Sequence, residues 1–214
     1  TDSFVVQPLH FPGGNIGRLA VCGTVNDLAM MGAKPKGLSL AFIIEEGLDI
    51  SVLDEIVTSI AETAKEAGVP IVTGDTKVVE RGRGDGLVIN TAGIGEQQAG
   101  LSMGYDRLAK DDVIIINGPI AEHGLAVMSA REGLSFDTEL KSDVAPLNGL
   151  VADILDSGAD VKFMRDPTRS GIAGVANDLV AGANLSVELD EASIPLTGVV
   201  RHTAEMLGLD PLMV

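Results

Sequence analysis

Residues 51–68 constrain the fold most. Leu53, Ile56, Val57, Ile60 and Ala64 recur at helical spacing and define a single apolar stripe, so the segment must be a helix covered along one side. Ser51 is expected to cap it, with Asp54 in the capping-box position. Lys65 and Gly68 carry helix-stop chemistry, and Pro70 forbids continuation. The apolar run Gly37 to Ile44 before this helix reads as a strand, and Val69 to Thr73 after it as a short buried one.

The same reading extends outward. A strand opens the chain at Asp2 to Val6, and the turn Pro12-Gly-Gly-Asn15 leads into a helix from Ile16 to about Ala33. Val78-Val79 and Leu87 to Ala92 look like two arms of a hairpin around Arg81-Gly-Arg-Gly-Asp-Gly86. The polar, glycine-punctuated run Gly95 to Asp112 marks a domain boundary, giving domains of 1–108 and 109–214. In the second, strands are expected at Val113 to Asn117, Asp160 to Met164 and Ser186 to Leu189. Helices are expected at Ala121 to Glu132, Ala145 to Asp156, Ser170 to Ala181 and Thr197 to Leu207.

Composition removes several classes of function. Across 214 residues, 31 acidic side chains face 15 basic ones, a formal charge of −16. A surface that tracks nucleic-acid phosphates needs clustered Lys and Arg, so DNA and RNA are not expected partners. A polyanionic ligand would need metal cations or backbone N–H groups to hold it. Aromatics are 3% with no Trp, so the core must be built from Val, Ile, Leu, Ala and Met. The apolar stretch Leu38 to Ile44 is too short to span a bilayer, and no basic segment followed by an apolar one opens the chain. Cys22 is the single cysteine, which leaves no internal disulfide and makes a reducing cytoplasm the simplest compartment.

Several residues are candidates for chemistry. Asp27 falls on the apolar stripe of its helix with Leu19, Ala20, Gly23 and Met30; it is either a cation ligand or a carboxylate bonded to nearby backbone. Gly74-Asp75-Thr76-Lys77 follows a strand: Asp75 suits a hard cation and Lys77 a phosphate, unless the string is a plain Gly-Asp turn. Asp2 opens a strand and is either a ligand or a solvated terminus. Asp166-Pro-Thr-Arg-Ser-Gly171 precedes a helix, so Arg169 and the first N–H groups suit an anion, unless Asp166 or Thr168 merely caps it. His123, in the first turn after Gly118-Pro-Ile-Ala-Glu122, is either catalytic or structural. Cys22, among Ala20, Val21 and Gly23, reads as a buried small hydrophobe. His10 and His202 have no zinc-ligand spacing, and there is no phosphate-loop, dinucleotide or nucleophile-elbow string.

Taken together, the strings resemble one family. Thr1-Asp-Ser-Phe-Val-Val6, Phe11-Pro-Gly-Gly-Asn-Ile-Gly17, Leu19-Ala-Val-Cys-Gly-Thr-Val-Asn-Asp-Leu-Ala-Met-Met-Gly-Ala33 and Ile71-Val-Thr-Gly-Asp-Thr-Lys-Val-Val79 follow, in order, the first domain of the HypE hydrogenase maturation proteins. Asn90-Thr-Ala-Gly-Ile-Gly95, Glu122-His-Gly124 and Asp166-Pro-Thr-Arg169 continue the match into the second. These proteins belong with aminoimidazole ribonucleotide synthetase, selenophosphate synthetase and thiamine-phosphate kinase.

The resemblance implies an α+β protein of two mixed α/β domains, the first pairing with its copy to form a β-barrel across a homodimer interface. It implies ATP and Mg²⁺ as cofactors and dehydration of a carbamoyl group, carried on a C-terminal cysteine, to thiocyanate. That product supplies cyanide ligands to [NiFe]-hydrogenase iron. A carbamoyltransferase and an iron-carrying maturation scaffold complex are the implied partners. By family position, Asp2, Asp27 and Asp75 would hold magnesium, and Thr76 would stand beside the nucleotide. Lys77 would meet phosphate or assist proton transfer, Asp166, Thr168 and Arg169 would line the second-domain side, and His123 would be catalytic. Ser170 stands where the family usually has glycine, and His10 where Phe is common. A glycine-rich segment is expected before Thr1, and a Glu-containing segment with the carrier cysteine after Val214, so this stretch is expected to hold an incomplete active site. Two other classes stay open: a selenophosphate- or purine-type synthetase, and a non-catalytic nucleotide- or partner-binding module.

Overall fold

Asn15 and Asp49 start the two long helices of the first half. In this computed structural model, which describes residues 1–134 and 140–214, the Asn15 side chain accepts the Arg18 N–H at 3.0 Å and opens α1 (Ile16–Met30). Asp49, rather than Ser51, caps α2 (Ile50–Ala67): its Oδ1 accepts the Ser51 N–H at 2.8 Å and the Ser51 hydroxyl at 2.9 Å. The Ser51 capping box is therefore displaced: the helix starts at Ile50, and an aspartate two residues before Ser51 caps it through the Ser51 N–H. Gly68, at φ 68°, ends α2 as expected. α1 stops short of Ala33 because Gly32, at φ 65°, turns the chain into a strand.

The chain divides into two compact units, Thr1–Leu101 with Val144–Ala159, and Ser102–Asp143 with Asp160–Val214. The first contains a four-stranded sheet built from β1 (Asp2–Phe4), β4 (Ala33–Glu45), β5 (Ile71–Val79) and β6 (Leu87–Gln97), in the order β1-β6-β4-β5. A small ribbon pairs β2 (His10–Phe11) with β3 (Gly14–Asn15). β4 runs parallel to β5, through the α2 crossover, and antiparallel to β6.

Two expectations change here. The segments around 78 and 87 are not a hairpin, because the 13-residue β4 lies between them and takes one on each edge. The 80–86 connection crosses the end of β4, where the Glu45 carboxylate accepts the Gly82 N–H at 2.7 Å and the Gly86 N–H at 3.2 Å. β5 is also neither short nor buried: it spans nine residues and forms an exposed edge.

Ile16, Ala20, Val21 and Val25 of α1 are buried against Leu38, Leu40, Leu87 and Ile89 of the sheet, with Ile56 and Ile60 of α2 closing the layer. Small residues bring these elements close: a Cβ at Gly17 would lie 2.7 Å from the Ile56 carbonyl oxygen. α4 (Asn148–Asp156) belongs to this unit as well. The Asn26 amide donates to the Ala145 carbonyl at 3.0 Å and accepts the Leu147 N–H at 2.8 Å, while Asn148 donates to the Ala67 carbonyl at 2.9 Å.

The second unit packs α3 (Glu122–Arg131) against α6 (Gly198–Leu207), with Leu125, Ala126, Leu140, Val200 and Ala204 as its core; α5 (Gly171–Ala183) is its third helix. Among its described residues there is no strand, so the strands expected at 113–117, 160–164 and 186–189 are not formed. The composition is right for strands, but a strand exists only through a ladder partner, which local sequence does not specify. Val113 and Ile115 are accordingly 83% and 87% exposed. Side-chain pairs tie these segments instead: Lys162 with Asp112, and Arg107 with Asp160 at 2.6 Å.

Candidate functional site

In the first unit, strand register decides where each candidate points. Asp2 pairs with Thr91, Thr91 with Leu40, and Leu40 with Gly74, one row of side chains on one face. Leu40 and Thr91 are buried, so this is the face covered by helices. The next row, Ser3, Asn90, Ala41 and Asp75, emerges on the opposite, uncovered face. Alternation then returns Thr76 to the helix face with Phe42, Ile89 and Phe4, and sends Lys77 to the open face with Ile43 and Val88. Asp2 and Thr76 thus share one face, while Asp75 and Lys77 share the other.

Local bonds fix these carboxylates. Asp2 Oδ1 accepts the Ser3 N–H at 2.7 Å, and Asp75 Oδ1 accepts the Thr76 N–H at 2.8 Å. Asn90 donates to the Asp2 carbonyl at 3.1 Å and to the Ser3 hydroxyl at 2.8 Å, joining β6 to β1. At Gly74 a Cβ would run into the Leu40 carbonyl oxygen, so glycine alone lets β5 approach β4 beside Asp75. Asp27 is half-buried on α1. Among the described residues no group of three or more His, Cys, Asp or Glu stands close enough to hold a metal ion by itself.

Sequence reasoning missed the link between α1 and the sheet. Thr24 and Thr91 are both buried and share a hydroxyl–hydroxyl bond inside an otherwise apolar layer. The available signal was a threonine at an inward helical position and another at an inward strand position, but nothing local pairs residues 67 apart in sequence.

In the second unit, Asp166, Thr168 and Arg169 lead into α5. Thr168 donates its hydroxyl to the Asp166 carboxylate, and no side chain caps the helix at Ser170, so neither residue acts as the cap. Arg169 is exposed, and neighbouring Arg165 pairs with Asp178 at 3.2 Å. Ser170 has φ 59°, the left-handed region. His123 is half-buried at the start of α3, its Nδ1 2.9 Å from the Ser142 hydroxyl. Burial pushes its pKa below the usual histidine range, with Asp143 pulling the other way. Burial likewise raises the Glu122 carboxyl, and Asp143 adds to it.

Cys22 is 1% exposed, and burial pushes its thiol up to about 12. His10 faces Glu55 at 3.4 Å.

Comparison with known proteins adds three findings. Residues 1–97 match the N-terminal domain, and residues 109–214 the C-terminal domain, of AIR synthase related proteins. The carbamoyl dehydratase HypE of Rhizobium leguminosarum bv. viciae is 53% identical over 215 residues, covering 100% of this chain and 61% of that protein; the chain thus spans about three fifths of its length. Among solved structures, a chain of a HypE–HypF complex is 50% identical, covers 100% of this chain and 70% of its own, and superposes with a TM-score of 0.95. HypE in complex with ATP is 46% identical over 100% of this chain and 64% of its own, with a TM-score of 0.96.

Proposed function

This chain belongs to the HypE hydrogenase maturation proteins of the AIR synthase related family, and on that premise we propose that it is the ATP-handling part of a carbamoyl dehydratase. The observation that carries this reading is likeness along the whole chain to a HypE solved with ATP.

The proposed reaction converts a thiol-bound carbamoyl group, R–S–C(=O)–NH₂, to the thiocyanate R–S–C≡N. ATP takes up the oxygen: the carbonyl oxygen attacks the γ-phosphorus and ADP leaves. The C–O bond then breaks with release of phosphate, and both N–H protons depart. Protein groups contribute mainly position and charge to such a transfer. Lys77 on the open face meets the phosphate, and Lys77 and His123 are the titratable groups assigned to proton transfer. Asp166, Thr168 and Arg169 of the second unit are proposed as further nucleotide-binding residues. Magnesium, when bound, neutralises triphosphate charge. Asp2, Asp27 and Asp75 are its proposed ligands. Because Asp2 and Asp75 stand on opposite faces and opposite edge strands of the sheet, the three do not close on one ion within a single chain, which fits a cation held by one or two carboxylates plus phosphate oxygens. The carrier thiol is not Cys22, whose burial keeps it protonated and out of reach.

A homodimer is part of the proposal. β5 is an exposed edge strand, and beside it an open groove of about 590 Å³ is lined by Leu40, Phe42, Val57, Ile60, Ile71 and Val72. A barrel closed with a second copy would cover both. A carbamoyltransferase and an iron-carrying scaffold complex are the proposed partners, in a reducing cytoplasm.

Titration calorimetry tests the reading. The chain should bind ATP in a magnesium-dependent way, and Asp75→Asn should weaken binding about tenfold, roughly 1.4 kcal/mol. No heat with Mg-ATP overturns it. Light scattering giving a monomer mass at micromolar concentration removes the dimer.

A further inference from the structure

The interface between α1 and the sheet is close but smooth. A Cβ at Gly23 would lie 2.7 Å from the Phe4 ring, and one at Gly93 would lie 2.8 Å from the side chains of Leu28 and Leu38. Ala20, Val21, Val25 and Ala29 complete the contact surface. Apolar contact of this kind is non-directional and fixes the axial position of a helix only weakly. The Thr24–Thr91 hydroxyl pair is a directional element within it, and both residues are at most 1% exposed.

The pair lies between two proposed magnesium ligands. Thr91 is the cross-strand partner of Asp2 on the same sheet face, and its carbonyl also accepts the Thr1 hydroxyl at 2.9 Å. Asp27 lies three residues beyond Thr24 on α1, within one helical turn. A shift of α1 along the sheet would therefore move Asp27 relative to Asp2, and the hydroxyl bond opposes that movement.

We propose that Thr24 and Thr91 are positioning residues: their buried hydroxyl pair sets α1 in register with the sheet, so that Asp2 and Asp27 can serve one metal–nucleotide complex. This rests on the Mg-ATP reading above. Neither threonine touches the ligand in this scheme.

The test measures ATP affinity with and without Mg²⁺ for the wild-type chain, Thr91→Val, the double Thr24→Val/Thr91→Val variant and Thr91→Ser. Valine matches threonine in shape, and replacing both partners leaves no polar group unsatisfied. In Thr91→Val alone, the Thr24 hydroxyl can turn to a carbonyl of its own helix, so that variant keeps its fold. The expected result is that both valine variants lose at least tenfold of the magnesium-dependent gain in affinity, with metal-free ATP affinity unchanged. Thr91→Ser, which keeps the hydroxyl, should retain the gain. A purely structural pair would change melting temperature without changing the magnesium dependence. A Thr91→Val chain that melts cooperatively and keeps the full magnesium gain overturns the inference. A wild-type chain without Mg-ATP binding overturns instead the reading on which it rests.

Discussion

Arg18 grips Glu66 with a two-pronged bond, Nη1 to Oε2 at 2.7 Å and Nη2 to Oε1 at 3.2 Å, joining the first turn of α1 to the end of α2. Its Nε donates to the Val144 carbonyl at 3.0 Å, so one guanidinium serves three elements of the first unit. Arg18→Ala removes all three bonds and the packing of the stem, and should cost about 1–2 kcal/mol. Glu66→Gln weakens only a partly exposed ion pair and should cost less than about 1 kcal/mol. Urea unfolding followed by circular dichroism separates the two, and equal losses would reduce the role of Arg18 to the ion pair.

Ser170 occupies the left-handed region at φ 59° in front of α5. A side chain there costs on the order of 1–2 kcal/mol, which glycine avoids. Ser170→Gly should therefore stabilise the chain by about 0.5–1 kcal/mol in urea unfolding, and Ser170→Ala should not. A loss of stability with glycine would show that the serine hydroxyl contributes more than the strain removes.

His123 gives the second unit a defined pH response. Burial holds its folded pKa below the usual value, so the unfolded chain takes up this proton first as pH falls. Its contribution is intact above about pH 6.5 and is lost as pH drops from there toward the folded value. His123→Gln should flatten the fall in urea midpoint between about pH 7 and pH 5.5. Identical slopes for the two chains would refute burial as the cause.

Cys22 should be inert to an aromatic disulfide reagent at about pH 8 while the chain is folded, and should react fully after denaturation. Reaction of the native chain at the rate of a free thiol would contradict its placement in the α1 interface.

Residues that act through local periodicity were legible in the sequence. The stripe from Leu53 to Ala64 gave α2, and the apolar neighbours of Cys22 gave its burial. Features that depend on a distant partner were not. Leu87 to Ala92 reads equally well as the partner of β5 or of β4, and the choice rests on the parallel crossover through α2. The run Val113 to Ile116 has strand composition without a ladder. At the site, the acidic and lysine positions were readable as types, but only the register separates Asp2 from Asp75 by face. Thr24 and Thr91 carried no local sign of each other.

The placement of α4 sets a timetable for synthesis. Residues 144–159 complete the first unit, docking through Asn26, Arg18 and Asn148, although residues 102–143 of the second unit are made in between. A ribosome that has finished β6 at Gln97 must add roughly 60 residues before α4 is available, on the order of 3–12 s at ~5–20 residues per second. During that interval α1 has Asn26 and Arg18 without their backbone partners, and the nascent first unit is open along that flank. Chaperone engagement of this chain during translation should therefore centre on the α1 surface and end when Ala159 clears the exit tunnel.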